Sequence, residues 1–237
     1  MGISRRRFLL TTTLFTVGGS GALISACGGG SGTSNSNTPP LTLANYKAQM
    51  RSVGTSLTMG RTEVTWGMWQ EYCTATSKAM PNTPKAYVIA DEKPVVNVSW
   101  DDCNDYAIWA GLRLPTSADW LLAATSSDSR NYPWGGFGGQ KSDGTFPGWD
   151  ANKVVRNVGR PNTMGVGSKP TGNSPYGCCD MAGNVWEWTA TGTDGFMELR
   201  GGAAGDIDPK FFLCNNIQQS HQSWSNDWIG FRLCTDV

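Results

Sequence analysis

The chain carries one histidine, His221, and seven cysteines, and these bound the chemistry it can perform. A single imidazole excludes a multi-histidine metal cage and leaves His221 as the sole candidate base for a Ser-His-Asp arrangement. Spacing assigns it neither a nucleophile nor a carboxylate, so His221 reads as a contact residue rather than a base. After Cys27 come Cys73, Cys103, Cys178, Cys179, Cys214 and Cys234. They contain no Cys-x-x-Cys pair, which leaves zinc and thioredoxin-like chemistry without support. Outside the cytoplasm these six admit several disulfide pairings, with buried free thiols as the alternative. Adjacent Cys178 and Cys179 are expected to point different ways. The glycine runs at 28–30 and 135–139 lack the strand-to-helix context that cradles phosphate.

Nineteen Lys and Arg balance nineteen Asp and Glu, so no basic excess marks a nucleic-acid footprint. Residues 1–26 read as an export signal. Ser4-Arg5-Arg6-Arg7-Phe8-Leu9 matches a twin-arginine pattern, and the apolar stretch 8–24 is shorter than the ~20 residues that span a bilayer. Ile24-Ser25-Ala26-Cys27 resembles a lipobox, which makes Cys27 the expected lipidation site and the new N-terminus. Removing residues 1–26 takes away three arginines and no acid, leaving a net charge of −3. Residues 27–45, rich in Gly, Ser, Asn and Pro, are expected to be a flexible tether, and 46–237 the folded domain. The expected product is an extracytoplasmic, lipid-anchored monomer on a bacterial membrane, at the cell surface.

The domain has a legible skeleton. Trp66, Trp69 and Cys73 fall on one face of a short helix. Pro94–Val98 is a β-branched run. Ser99 with Asp102, and Thr116 with Asp119, each place an acid three residues after a hydroxyl cap, the signature of a helix start. The first of these helices turns Trp100, Cys103, Ala107 and Ala110 inward and stops at Gly111. From 124 to about 174 little periodicity survives. Ala182–Trp188 alternates as a strand does, and Leu199–Gly202 and Ile229–Leu233 read as further short strands. The sum is an α+β architecture of small antiparallel sheets, two or three helices and long loops.

Seven ordered motifs resemble the sulfatase-modifying-factor family, which contains the formylglycine-generating enzymes. They are Glu63-Val64-Thr65, Pro94–Trp100, Tyr106–Thr116, Tyr132–Gly135, Asp180–Trp188, Arg200-Gly201-Gly202 and Gly230-Phe231-Arg232, spread over about residues 55–234. The resemblance implies a C-type-lectin-like fold of the formylglycine-generating subtype. It also implies calcium held through Asn184 and Glu187 in some relatives, with a hydrogen-bonded structural loop as the alternative. The family's oxidase chemistry uses two copper-binding cysteines soon after the Arg-Gly-Gly strand. Here the corresponding places hold Asp206 and Phe211, neither of which supplies the thiolate that Cu(I) selects. The sulfoxide synthases of the family add a helical domain with a histidine cluster, and this chain has neither.

The chain is most similar to the variable proteins of diversity-generating retroelements, whose rewritten segment follows an Arg-Gly-Gly strand and closes on Ile-Gly-Phe-Arg near the C-terminus. Residues 203–228 occupy that place. Asp206, Asp208, Phe211, Asn215, Asn216, His221, Trp224, Asn226, Asp227 and Trp228 are the candidate ligand-binding residues. They mix aromatics with short polar side chains in neither a helix nor a strand period, as antibody-like paratopes do. Phe211, Phe212 and Trp228 each have a place in the core as the alternative. The sequence thus points to a displayed lipoprotein that binds an unknown protein or other surface ligand, with no catalytic residue and no cofactor beyond the calcium option. The alternatives are an oxidase relative and a non-diversified accessory binding lipoprotein.

Overall fold

A computed structural model describes residues 41–83, 87–157 and 162–237. The export signal, Cys27 and the tether up to residue 40 lie outside the described residues. Thr42 caps the first helix, α1 (Leu43–Ala48), through a side-chain bond to the Asn45 N–H. Leu41 and Leu43 pack partly into the core, and the Leu43 N–H donates to Glu71 at 2.9 Å. This corrects the tether boundary. Residues 41–45 carry apolar side chains and a cap, so the folded part begins ahead of 46.

Two strands follow, β1 (Arg51–Val53) and β2 (Leu57–Met59), and then α2 (Trp66–Thr76), which Thr65 caps. Trp66, Trp69 and Cys73 are all buried, as their spacing requires. Capping boxes open α3 (Trp100–Ala110) at Ser99 and α4 (Ser117–Thr125) at Thr116, and α3 ends at Gly111. Both hydroxyls accept from the N–H three residues on, and both acids return the bond, so each helix start is specified by two residues. With α1 there are four α-helices among the described residues, one more than the sequence pattern indicates.

The remaining strands are β3 (Trp186–Thr193), β4 (Phe196–Arg200), β5 (Gln218–His221), β6 (Ile229–Gly230) and β7 (Cys234–Asp236). β1, β2 and β7 form an antiparallel sheet that ties the C-terminus to the first strands. The second sheet runs β5-β4-β3-β6, antiparallel except for β3 with β6, which are parallel. That parallel pair departs from the all-antiparallel expectation. The Pro94–Val98 run makes only an isolated bridge, Thr65 with Pro94, and the predicted strand 182–188 begins in earnest at Trp186.

The main core joins Trp66, Trp69, Tyr106, Trp188 and Phe231, with Trp69 stacked on Tyr106 at 5.3 Å. All six cysteines among the described residues are buried and unpaired. At the end of β4 the chain must turn at once against Phe212. A Cβ on Gly202 would meet that ring at 2.8 Å, and its φ of +78° is left-handed, so only glycine is comfortable.

Candidate functional site

Two polar regions meet at β3. The first lies inside. Glu187, fully buried, accepts from Arg232 through both carboxylate oxygens at 2.6 Å and from the Trp120 indole at 2.8 Å. The rest of the Arg232 guanidinium donates to the carbonyls of Gly60, Arg61 and Cys179. Burial alone would push that guanidinium down, but Glu187 holds it above its ordinary value. Beside it, the Asn184 amide donates to Glu63 at 3.0 Å and its oxygen accepts from the Met164 N–H at 3.0 Å.

Glu63 and Asp180 complete this interior network. Each has one buried carboxylate oxygen without a conventional donor. Burial raises the pKa of Glu63, and the Asp180 charge raises it further. Burial also raises that of Asp180, against the Gly167 N–H that donates to it at 2.5 Å. Burial thus favours the protonated form of both carboxyls.

The Glu187 carboxylate thus meets a guanidinium and an indole, and the Asn184 oxygen a backbone N–H, the hydrogen bonds of the structural-loop alternative to a calcium site. These partners lie as far away in sequence as Arg232.

The second region is the stretch from 203 to 228, whose backbone is held by other parts of the fold every few residues. Ala204 N–H donates to Asn184 and its carbonyl accepts from Asn157. Arg200 reaches the Cys214 carbonyl at 3.1 Å, and the Cys214 N–H reaches Asn131 at 2.8 Å. β5 pairs with β4, the Gln222 carbonyl accepts from the Trp100 N–H, and the Asn226 carbonyl from the Asn97 N–H. Trp228 O accepts from Trp186 N–H at 2.8 Å. The chain path is set by these partners, while many side chains of the segment face outward.

Asp206, Asn226 and Trp228, with Trp186, Ala203 and Gly205, line a cavity of about 270 Å³. Trp228 lies so close over Gly205 that a Cβ there would meet its ring at 2.9 Å, so a side chain at this position would displace the indole. Asp206 spends Oδ2 on the Ala203 N–H at 2.8 Å. Burial raises its pKa, opposed by that N–H and by the neighbouring Trp186 indole. Phe211 is half-buried and sits edge-on to Trp186 at 6.1 Å, whereas Phe212 is wholly buried against Trp149.

The other candidates are not gathered there. Asp208 caps a short 3-10 turn at Pro209–Phe212 and pairs with Lys210 at 3.0 Å. The Lys210 backbone N–H is the main cause that lowers the Asp208 pKa. Asn216 donates to the Phe211 carbonyl, and Asn215 is exposed. His221 bonds Ser223 at 2.8 Å through Nδ1 and packs on Phe196, so its visible partners are a hydroxyl and a ring, not a catalytic carboxylate. Trp224 is 59% exposed. Asn226 has a structural share as well, because its side chain accepts from the Trp228 N–H at 2.8 Å. Asp227 is half-buried.

The residue that sequence reasoning missed is Trp186. Alternation puts it on the same face as Trp188 and so into the core. Trp188 is fully buried and donates to the Val98 carbonyl at 3.0 Å. Trp186 opens β3, is 8% exposed in the same core cluster as Trp188, and also lines the cavity. Its place at the strand's first residue is the signal that distinguishes it.

The cavity's donors are a carboxylate, an amide and indoles, and no cysteine is among its lining residues. That set does not fit Cu(I), which prefers thiolate, and no oxidation step follows from it.

The family model of the sulfatase-modifying factor enzyme 1-like domain matches residues 13–237, and the chain belongs to that family. It is 37% identical over 160 residues to the formylglycine-generating enzyme of Thermomonospora curvata, covering 60% of this chain and 50% of that protein. It is 40% identical over 105 residues to the inactive C-alpha-formylglycine-generating enzyme 2 of Bos taurus, covering 42% of this chain and 33% of that one. The chain therefore spans half or less of the length of these two relatives. The solved structure of Treponema denticola variable protein 1 superposes with a TM-score of 0.54 at 18% identity, covering 80% of this chain and 91% of that one. The fold is the C-type-lectin-like one shared by these proteins.

Proposed function

We propose that this chain is a surface-displayed binding protein whose ligand site is built from residues 203–228 on a formylglycine-generating-type scaffold. The observation that carries this reading is the division of labour within the segment. Its backbone is fixed by Asn131, Asn157, Asn184, Trp100 and β4, while Asn215, Gln219, His221 and Trp224 project into solvent. Side chains can then vary at little cost to the fold, which suits a retroelement-diversified site. The likeness to a variable protein agrees with this at the level of fold. The cavity beside the segment supplies hard oxygen and aromatic groups, the kinds of contact a binding site uses.

The reading extends to the N-terminal part. Lipidated Cys27, on a tether that ends near residue 40, would hold the domain at a membrane facing out of the cytoplasm as a monomer, with a protein or other surface molecule as ligand. Cys27→Ala should move the protein from the membrane fraction into the soluble extracytoplasmic fraction; continued membrane association would contradict lipid anchoring.

Diversification is tested by sequencing the locus in independent lineages. Differences should cluster at exposed positions of 206–228, trace to template adenines in a neighbouring imperfect repeat, and spare Phe212, Cys214 and Ser220. Changes spread evenly along the gene, with no repeat and no reverse transcriptase nearby, would leave a non-diversified binding lipoprotein.

A further inference from the structure

The cavity between β3 and the 203–228 segment joins two indoles to one carboxylate, and no basic side chain among the described residues lines it. The nearby cation, Lys210, is engaged elsewhere: its ammonium is bonded to Asp208 at 3.0 Å and lies over Phe211 at 5.2 Å. Asp206 has already lost part of its hydration, has committed one oxygen to Ala203, and has no counter-ion among the described residues. A desolvated carboxylate in that position is costly until a cation arrives. An anionic guest would worsen this, and a neutral apolar guest would strip the remaining water from the acid without compensation. A cation relieves it, and indole is the best aromatic partner for a cation. Asn226 adds a polar group at the wall, its Oδ1 already shared with the Trp228 N–H. The cavity, at about 270 Å³, lies just under the ~300 Å³ at which pockets for small organic ligands begin, so its guest is a single side chain rather than a cofactor.

We propose that this cavity receives an alkylammonium group, the head of a lysine side chain presented by the protein ligand, with Asp206 as counter-ion and Trp186 and Trp228 as aromatic walls. The proposal rests on the display reading and assigns it a ligand chemistry: exposed His221 and Trp224 contribute contact area, and the cavity contributes the charged anchor.

The test uses the purified chain and three probes of one size: butylammonium, 1-butanol and butyrate. Binding is followed by the indole N–H resonances of Trp186 and Trp228, assigned with Trp186→Phe and Trp228→Phe. Butylammonium should shift both saturably, and the alcohol and the carboxylate should not. Asp206→Asn keeps an acceptor for the Ala203 N–H and should weaken butylammonium about tenfold, as the loss of a charge-assisted contact does. Trp228→Leu should weaken it about threefold, the scale of a cation–aromatic contact. Equal binding of 1-butanol, indifference to Asp206→Asn, or no saturable shift with butylammonium would each overturn the proposal. Selection of binders from a library randomised at the exposed positions of 215–224 separates the two readings. Binders obtained without an ammonium response would leave display standing and remove the lysine pocket, whereas failure of both would remove both.

Discussion

The interior network around Glu187 and the loop segment around Asp206 are both rich in acids, amides and tryptophan, yet they behave oppositely. Around Glu187 nearly every polar atom is matched: two bonds from Arg232, one from Trp120, and three backbone carbonyls completing the guanidinium. Around Asp206 the backbone is matched while side chains such as His221 and Trp224 are left to solvent. The difference teaches that residue type does not mark a binding site; unspent hydrogen-bonding capacity does. The Glu187–Arg232 pair has nothing left to offer a ligand, whereas Glu63 and Asp180 beside it each keep one buried carboxylate oxygen without a donor.

The comparison breaks most violently at Arg232. Arg232→Met would leave Glu187 buried and unpaired, which costs about 3–5 kcal/mol. Such a loss is enough to unfold many domains, and circular dichroism with denaturant titration would register it. If stability barely changed, the interior network would not be what holds the sheets together.

Next in size is the contrast between the two tryptophans of β3. Trp188→Ala opens a hole in the main core and should cost about 3–5 kcal/mol. Trp186→Ala should cost clearly less, because one side of that indole already borders the cavity, and the ammonium response should disappear with it. Equal destabilisation by the two would place Trp186 in the core as firmly as its neighbour.

A smaller effect sharpens the electrostatic side. Burial raises the folded-state pKa values of both Glu63 and Asp180, so the folded pair retains protons that the unfolded chain has released. The stability this contributes is fully present below the unfolded carboxylate pKa of about 4 and is lost as pH rises through the elevated folded values. One such proton gives a decline of up to about 1.4 kcal/mol per pH unit. Glu63→Gln should flatten that decline in unfolding titrations taken at a series of pH values. An unchanged slope would mean that the pair does not carry the proton.

Much of the scaffold is legible in local sequence because its signals are local. The capping boxes at Ser99 and Thr116, the stop at Gly111 and the inward stripe of α2 each depend on residues within a few positions of one another. The short α1 escaped notice because six residues give too little periodicity, and residues 41–45 look like the linker before them. The parallel pairing of β3 with β6 is invisible in the chain, since it joins Trp186 to Ile229. For the site, the sequence marks the stretch 203–228 as mixed and aperiodic. Which members share a cavity could not be read, because Asp206, Asn226 and Trp228 meet only through Trp186 and Gly205. The partner that claims Glu187 is 45 residues away, beyond the reach of any motif.

The central claim is that residues 203–228 can change their outward side chains while the fold stays. It is tested most directly by randomising Asn215, Gln218, Gln219, His221, Ser223 and Trp224 together and measuring thermal unfolding across many purified variants. All six are exposed. Most variants should fold and melt within about 5 °C of the parent, as expected for a summed change near 1 kcal/mol. If most instead fail to fold, or melt as early as Trp188→Ala, those side chains belong to the structure and the segment is not a display surface.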